Sequence, residues 1–199
     1  MSKTSEQIDY IIKVGLHPTL KREGFLKSSR TFRRSRVGCV QIINVQGSWT
    51  NYNDKGQFTV NLAVYFPEAA RIDGSFRITD RPSESDCMIN QRIGHLMPVQ
   101  RDYWWDFDSK SDLDKIAQEV VSACVNYGLH WLDEHSTIEG ALKFSLSRKT
   151  PYRAAIFSLL LNNRENAKQY LAEAIMKASQ NPSHKSWLVD WGHSNGLVA

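Results

Sequence analysis

Phe58-Thr59-Val60-Asn61-Leu62-Ala63-Val64-Tyr65-Phe66 decides the fold class. Phe58, Val60, Leu62, Val64 and Phe66 occupy every second place, alternating with Thr59, Asn61, Ala63 and Tyr65. A period of two is that of a strand, with successive side chains on opposite faces. The pattern predicts that Val60, Leu62 and Val64 point into the core, toward Leu113, Ile116 and Val120. Just upstream, Trp49-Thr50-Asn51-Tyr52-Asn53-Asp54-Lys55-Gly56 reads as a hairpin loop rich in turn-forming residues. Before that loop, Cys39 to Ser48 is a second strand and Phe32 to Arg36 a third, both rich in strand-forming residues. Residues 86–93 and 99–106 read as two more. The stretch 67–85, punctuated by Pro67, Gly74 and Pro82, reads mostly as loop.

Away from these strands the period becomes helical. Ile8, Ile11, Ile12, Gly15 and Leu16 share one face of a helix over 4–16, with Thr4 and Gln7 as its capping box. Pro18 opens a short second turn and Gly24 ends it. Leu113, Ile116, Ala117, Val120, Val121, Cys124 and Tyr127 form a stripe after a box at Ser111 and Asp114, and Gly128 closes it. A broken helical stretch covers 129–146. Tyr152–Leu161 and the stripe Ala167, Tyr170, Leu171, Ala174, Ile175 and Ala178, joined at Asn162-Asn163, make a helical hairpin over 151–179. Its Ala167, Leu171 and Ala174 match a tetratricopeptide unit. Pro151 and Ser158 stand where that repeat prefers aromatics, so the hairpin reads as packing. Runs of strands followed by runs of helices predict an α+β fold. It should hold an antiparallel sheet of about four to five strands packed by helices, with a C-terminal helical hairpin. The expected organisation is an α+β domain over 1–135 and a helical extension over 136–199, packed on it as one compact unit.

The chain has 199 residues, 41% hydrophobic and 23% charged, which is ordinary globular composition and argues against disorder. No apolar run approaches the length of a membrane span, and Met1–Gln7 has no hydrophobic signal core. The charge of +4 is unevenly spread. Residues 1–50 hold nine Lys/Arg against three acids, 51–140 hold eight against fifteen, and 141–199 hold eight against three. Such a chain can pair its own charges or offer a basic face to an acidic partner. Cys39, Cys87 and Cys124 are widely spaced with no CxxC, so they read as buried reduced thiols of a cytoplasmic protein.

Motifs of established chemistry fail in detail. Gly192-His193-Ser194-Asn195-Gly196 spells a nucleophile elbow, but only three residues follow it, and it reads as a glycine-rich tail. Asp106, Asp108, Asp112 and Asp114 suggest a calcium loop. Lys110, Ser111 and Ala117 occupy positions that such a loop needs for a ligand, a glycine and a glutamate. His130 and His135 are five apart, not on one helical face. No cofactor or metal is expected.

Leu20-Lys21-Arg22-Glu23-Gly24-Phe25-Leu26-Lys27 precedes Arg30-Thr31-Phe32-Arg33-Arg34, then Ile42-Ile43-Asn44-Val45-Gln46-Gly47-Ser48, then Phe58-Thr59-Val60-Asn61. Cys87-Met88-Ile89-Asn90-Gln91-Arg92-Ile93-Gly94 and Trp104-Trp105 follow. In this order, over residues 8–135, the segments resemble the bacterial family called domain of unknown function 4304. The resemblance implies the fold and supplies no catalytic residue.

The function expected is that of a non-enzymatic protein-binding module. Its surface is read as Gln46, Ser48, Trp49, Arg92 and Trp104. Strand-end polar residues beside a hairpin loop are placed to bind, arginine grips anions in a planar fork, and tryptophan is enriched at interface hot spots. A second reading is nucleic-acid binding through a basic patch at Arg33, Arg34 and Arg36 beside Phe32, Trp49 and Tyr52. A third is an enzyme built on Gln46, Ser48, Asn61 and Arg92. No membrane partner is expected.

Overall fold

The computed structural model describes residues 2–198. Two compact units form, Met1–Tyr65 with Arg81–Glu134, and Phe66–Asp80 with His135–Ala199. In chain order the helices are α1 (Lys3–Ile11), α2 (His17–Arg22), α3 (Pro67–Asp73), α4 (Leu113–Ala123), α5 (Leu129–Glu134), α6 (Ile138–Ser147), α7 (Pro151–Leu160), α8 (Arg164–Lys177) and α9 (Pro182–Ser194). The strands are β1 (Leu26–Ser28), β2 (Thr31–Arg36), β3 (Cys39–Gly47), β4 (Gly56–Tyr65), β5 (Ile89–Arg92) and β6 (Trp105–Phe107).

The first unit is built on the sheet. Its order is β1-β2-β3-β4-β5, with β6 also on β4, and every pairing is antiparallel. The α+β class and antiparallel sheet are therefore those expected. β1 adds an edge strand of only three exposed residues. Two of the expected strands shorten. Residues 99–106 give way to the short strand Trp105–Phe107, with Gln100 upstream of it at a left-handed φ of 47°.

Opposite residues of an antiparallel pair share a face. One face carries Phe32, Ile43, Val45, Phe58, Val60, Leu62 and Val64, all buried. Val60, Leu62 and Val64 are buried as expected, but Asn61 and Ala63 are buried as well, so burial does not single out one face of β4. Ala117, Val120 and Cys124 are the buried stripe of α4 and its continuation, while Leu113 and Ile116 stay half-exposed. Thr59, Ala63 and Tyr65 on the other face are buried too, and Thr59 is covered by the segment that carries Tyr103.

α1 and α2 are one helix through a π-helical turn, Ile12–Leu16, and a second π turn, Cys124–Gly128, joins α4 to α5. Gly15 sits where a β-carbon would come within 3.0 Å of Ala117, so the lack of a side chain lets the two helices meet. Both capping boxes shift. Ser2 caps α1 by accepting from Ser5 N, and Asp112 caps α4 by accepting from Lys115 N, since each helix begins before or after the residue read as its start.

The second unit is helical. α7 and α8 form the expected hairpin, with Asn162 at φ 56° in the turn and Asn163 capping α8. Two of its helices were not expected. α3 opens with Pro67, which suits a first helical turn because its missing N–H is an orphan there anyway. α9 replaces the expected tail, with Leu188, Trp191 and Gly192 buried. Asp73, 4% exposed, ends α3 and accepts from Tyr152 Oη at 2.8 Å and Ser75 N at 2.9 Å. Burial drives the Tyr152 phenol's pKa well above its ordinary range, and the Asp73 carboxylate adds to it. Trp191 Nε1 donates to Ile72 O at 2.8 Å, which pins α9 to α3.

Candidate functional site

The pairing register places Thr31, Asn44, Asn61 and Arg92 in one row across β2, β3, β4 and β5. The row lies on the sheet face opposite Ile43, Val60 and Leu62. Asn44 Nδ2 donates to Thr31 Oγ1 at 2.9 Å. Asn61 Nδ2 reaches Gln46 Oε1 at 2.9 Å and Asn44 Oδ1 at 3.5 Å. These amides hold one another, and Gln46 stays exposed. At the end of the row, the Arg92 guanidinium lies 5.1 Å from the centre of the Trp104 ring. Asp102 joins the two: its carboxylate pairs with Arg92 Nη1 and accepts from Trp104 Nε1 at 3.1 Å. The Arg92 and Asp102 side chains are 36% and 42% exposed.

The backbone fixes this arrangement. Thr59 Oγ1 donates to Tyr103 O at 2.8 Å, and Trp105 pairs with Phe58, so Trp104 lies along β4 beside Thr59. Gly94 closes the loop that leads there. A β-carbon on it would come within 2.4 Å of Arg101 O and 2.6 Å of Tyr103 N. Beside Trp104 an open depression of about 490 Å³ is lined by Arg101, Asp102, Asp106 and Glu119 among others, so its charge is negative.

Of the five surface residues read from the sequence, Gln46, Arg92 and Trp104 come together here. Ser48 and Trp49 lie at the hairpin end of the sheet. Ser48 N donates to Gln57 O, four places along β4 from Asn61, the partner of Arg92. At ~3.4 Å per residue and ~4.8 Å per strand, that separates Ser48 from Arg92 by roughly 14 Å along the sheet and 10 Å across it, beyond one side chain's reach. Ser48 Oγ shares hydrogen bonds with Thr50 at 2.7 Å and Gln57 at 3.3 Å. Trp49 is 95% exposed. Asn44 and Asp102 complete the patch and were not singled out. Asn44 shares strand parity with Gln46, which was a usable signal. Asp102 lies in an aperiodic loop and gave none.

The arginines of the basic run separate. Arg33 Nε donates to Pro82 O at 2.6 Å. Arg34 faces the opposite side of the sheet and is 7% exposed. It donates to Gln41 Oε1 at 2.6 Å, Glu23 O at 3.0 Å and Asp133 Oδ1 at 2.8 Å, with its guanidinium 4.6 Å from the Phe25 ring centre. Burial lowers its pKa and Arg36 lowers it further, against the pull of Asp133 and Glu23. Arg36 is half-exposed, 3.7 Å from Asp133.

All three cysteines are buried thiols. Burial pushes the Cys124 thiol up to about 12 and raises that of Cys87 as well, with Asp86 and Glu84 adding to the latter. Neither is poised as a nucleophile at neutral pH. Among the described residues no group of three or more His, Cys, Asp or Glu is arranged to hold a metal ion, and no helix is long and apolar enough to cross a membrane.

No curated protein and no solved structure matches the chain. A family model, described as a domain of unknown function (DUF4304), matches residues 16–134. That span takes in every strand and the whole Asn44–Asn61–Arg92–Trp104 patch, and the chain belongs to the DUF4304 family.

Proposed function

We propose that this protein is a binding module whose partner is another protein, and that Arg92 and Trp104 form the centre of the contact. The observation that carries this reading is the Arg92–Trp104 stack, half-exposed on a polar sheet face and held by Asp102. Tryptophan and arginine are enriched at interface hot spots, the indole because it offers large rigid area and the guanidinium because its planar fork carries several donors. The Asn44–Asn61–Gln46 amides bind one another and keep donors and acceptors at the rim. The separation of Arg33, Arg34 and Arg36 weighs against the nucleic-acid reading.

The test replaces Trp104 by a photo-crosslinking benzoylphenylalanine in the full chain, in the cells that make it. The captured protein is then purified and titrated against the parent and Trp104→Ala. The reading expects one partner whose affinity falls at least about tenfold in the variant. Undiminished affinity in Trp104→Ala would overturn it, as would no capture.

A further inference from the structure

A groove of about 650 Å³ runs between the α1–α2 helix and α4 with its π-helical continuation. The two helices run in the same direction. Tyr10 Oη donates to Asp114 Oδ1 at 2.9 Å, and further along Gly15 lies against Ala117 and Val121. The Gly15–Ala117 contact makes the floor shallow, and Val14, Pro18, Val121 and Val125 line it. Val14 and Val125 are 40% and 42% exposed. Both π turns open onto this groove, the first through Val14 and Gly15 and the second through Val125 and Asn126. A π turn gives up regular helical hydrogen bonding and occurs frequently at functional sites.

Among the described residues that line the groove, Arg22 and Asp114 alone carry charge, and they lie at opposite ends. The neighbouring charges leave those signs in place. At one end Lys21 adds to Arg22, while the Glu23 carboxylate turns to Arg34, 3.9 Å away. At the other, Asp112 and Asp114 stand against one cation, Lys115. Glu119 lines the depression beside Trp104 instead, and Lys13, midway, does not line the groove.

We propose that a second copy of this chain docks in this groove about a two-fold axis. A face that is apolar in the middle and oppositely charged at its ends is complementary to its own image turned end for end. Arg22 of each copy then meets Asp114 of the other. Copies docked in the opposite sense would set arginine on arginine and aspartate on aspartate. The four helices form a bundle whose shared centre is filled by the valines of both copies. A helix pair about 30 Å long and about 20 Å across gives roughly 1,200 Å² buried over both copies, at the lower end for a stable interface. The contact uses no residue of the Arg92–Trp104 patch, so it goes beyond the protein-binding reading and either can fail alone.

Sedimentation velocity on the full chain, from about 1 to about 200 µM, tests this. The expected result is a dimer that dissociates on dilution. Arg22→Asp and Asp114→Arg should each weaken it at least about tenfold, and Val125→Asp should abolish it. The double variant Arg22→Asp, Asp114→Arg should regain the parent's dimerisation, because the exchanged charges again face their opposites. Melting followed by circular dichroism checks that each variant is folded. A parent that stays monomeric throughout overturns the inference and leaves the groove to a different occupant. A dimer unmoved by Val125→Asp overturns it by placing the contact on another face. A folded double variant that dimerises no better than the single ones overturns the end-for-end pairing on which the proposal stands.

Discussion

Two arginines on opposite faces of one sheet are built from the same parts and serve different ends. Arg34 stacks on Phe25 and pairs with Asp133; Arg92 stacks on Trp104 and pairs with Asp102. Arg34 adds a buried glutamine and a helix-end carbonyl, so its three nitrogens all have acceptors and its side chain is 8% exposed. Arg92 has one carboxylate and a side chain 36% exposed. A guanidinium taken out of water is held in place by every donor it satisfies, and losing it strands its partners. One left at the surface costs little to hold and little to lose, and its fork can exchange one carboxylate for another. The first arrangement closes the fold around β2 and α5, and the second leaves a guanidinium and its carboxylate partly in solvent.

The comparison breaks first at Arg34. Arg34→Ala should lower unfolding stability by about 3 kcal/mol or more, because Gln41 is fully buried and loses its acceptor's donor. Arg34→Met should lose less, since it refills the space over Phe25. Urea denaturation with a common m-value measures both. The next largest effect belongs to Gly94→Ala. Its β-carbon would press on Arg101 O and Tyr103, so about 1–3 kcal/mol should be lost and the Arg92–Trp104 stack displaced, seen as a shift in tryptophan fluorescence.

Cys124 sharpens the contrast on the closed side. Its thiol titrates near 12 when folded and near ~8.5 when unfolded. The folded-state value is raised, so its contribution is fully present below pH ~8.5 and is lost as pH climbs toward 12. Over that window stability should fall by up to ~1.4 kcal/mol per pH unit from this group, and Cys124→Ala should show the shallower slope. The smallest effect is at Arg92. Arg92→Ala should change stability by less than about 1 kcal/mol, as for other surface pairs. A loss matching that of Arg34→Ala would place Arg92 among the structural clasps.

What could be read from the chain follows the strength of its periodicities. The alternation at Phe58–Phe66 was legible because β4 carries one continuous apolar face, and the α4 stripe because Ala117, Val120 and Cys124 are buried along one side of the helix. α9 was not, because His184, Lys185 and Ser186 surround a narrow buried stripe of Leu188, Trp191 and Gly192. α3 was hidden by Pro67, a loop signal that serves equally well as a helix opener. β1 is too short and too exposed to carry a pattern. Within the site, Gln46, Arg92 and Trp104 were legible through strand parity and the ordered family segments. Their junction was not, since Asp102 acts through a loop that has no period and Gly94 through a backbone contact that leaves no trace in composition. The grouping of Ser48 and Trp49 with Arg92 needed the β4–β5 register, which sequence spacing does not contain.

The central claim is that the open arginine, not the closed one, meets the partner. The affinity of the protein captured at position 104 for Arg92→Ala and for Arg34→Met, each compared with the parent at the same salt, tests it most directly. The account predicts a loss of at least about tenfold for Arg92→Ala with its melting temperature unchanged, and parent-like affinity for folded Arg34→Met. Parent-like affinity for Arg92→Ala, or an equal loss in both variants, would contradict it.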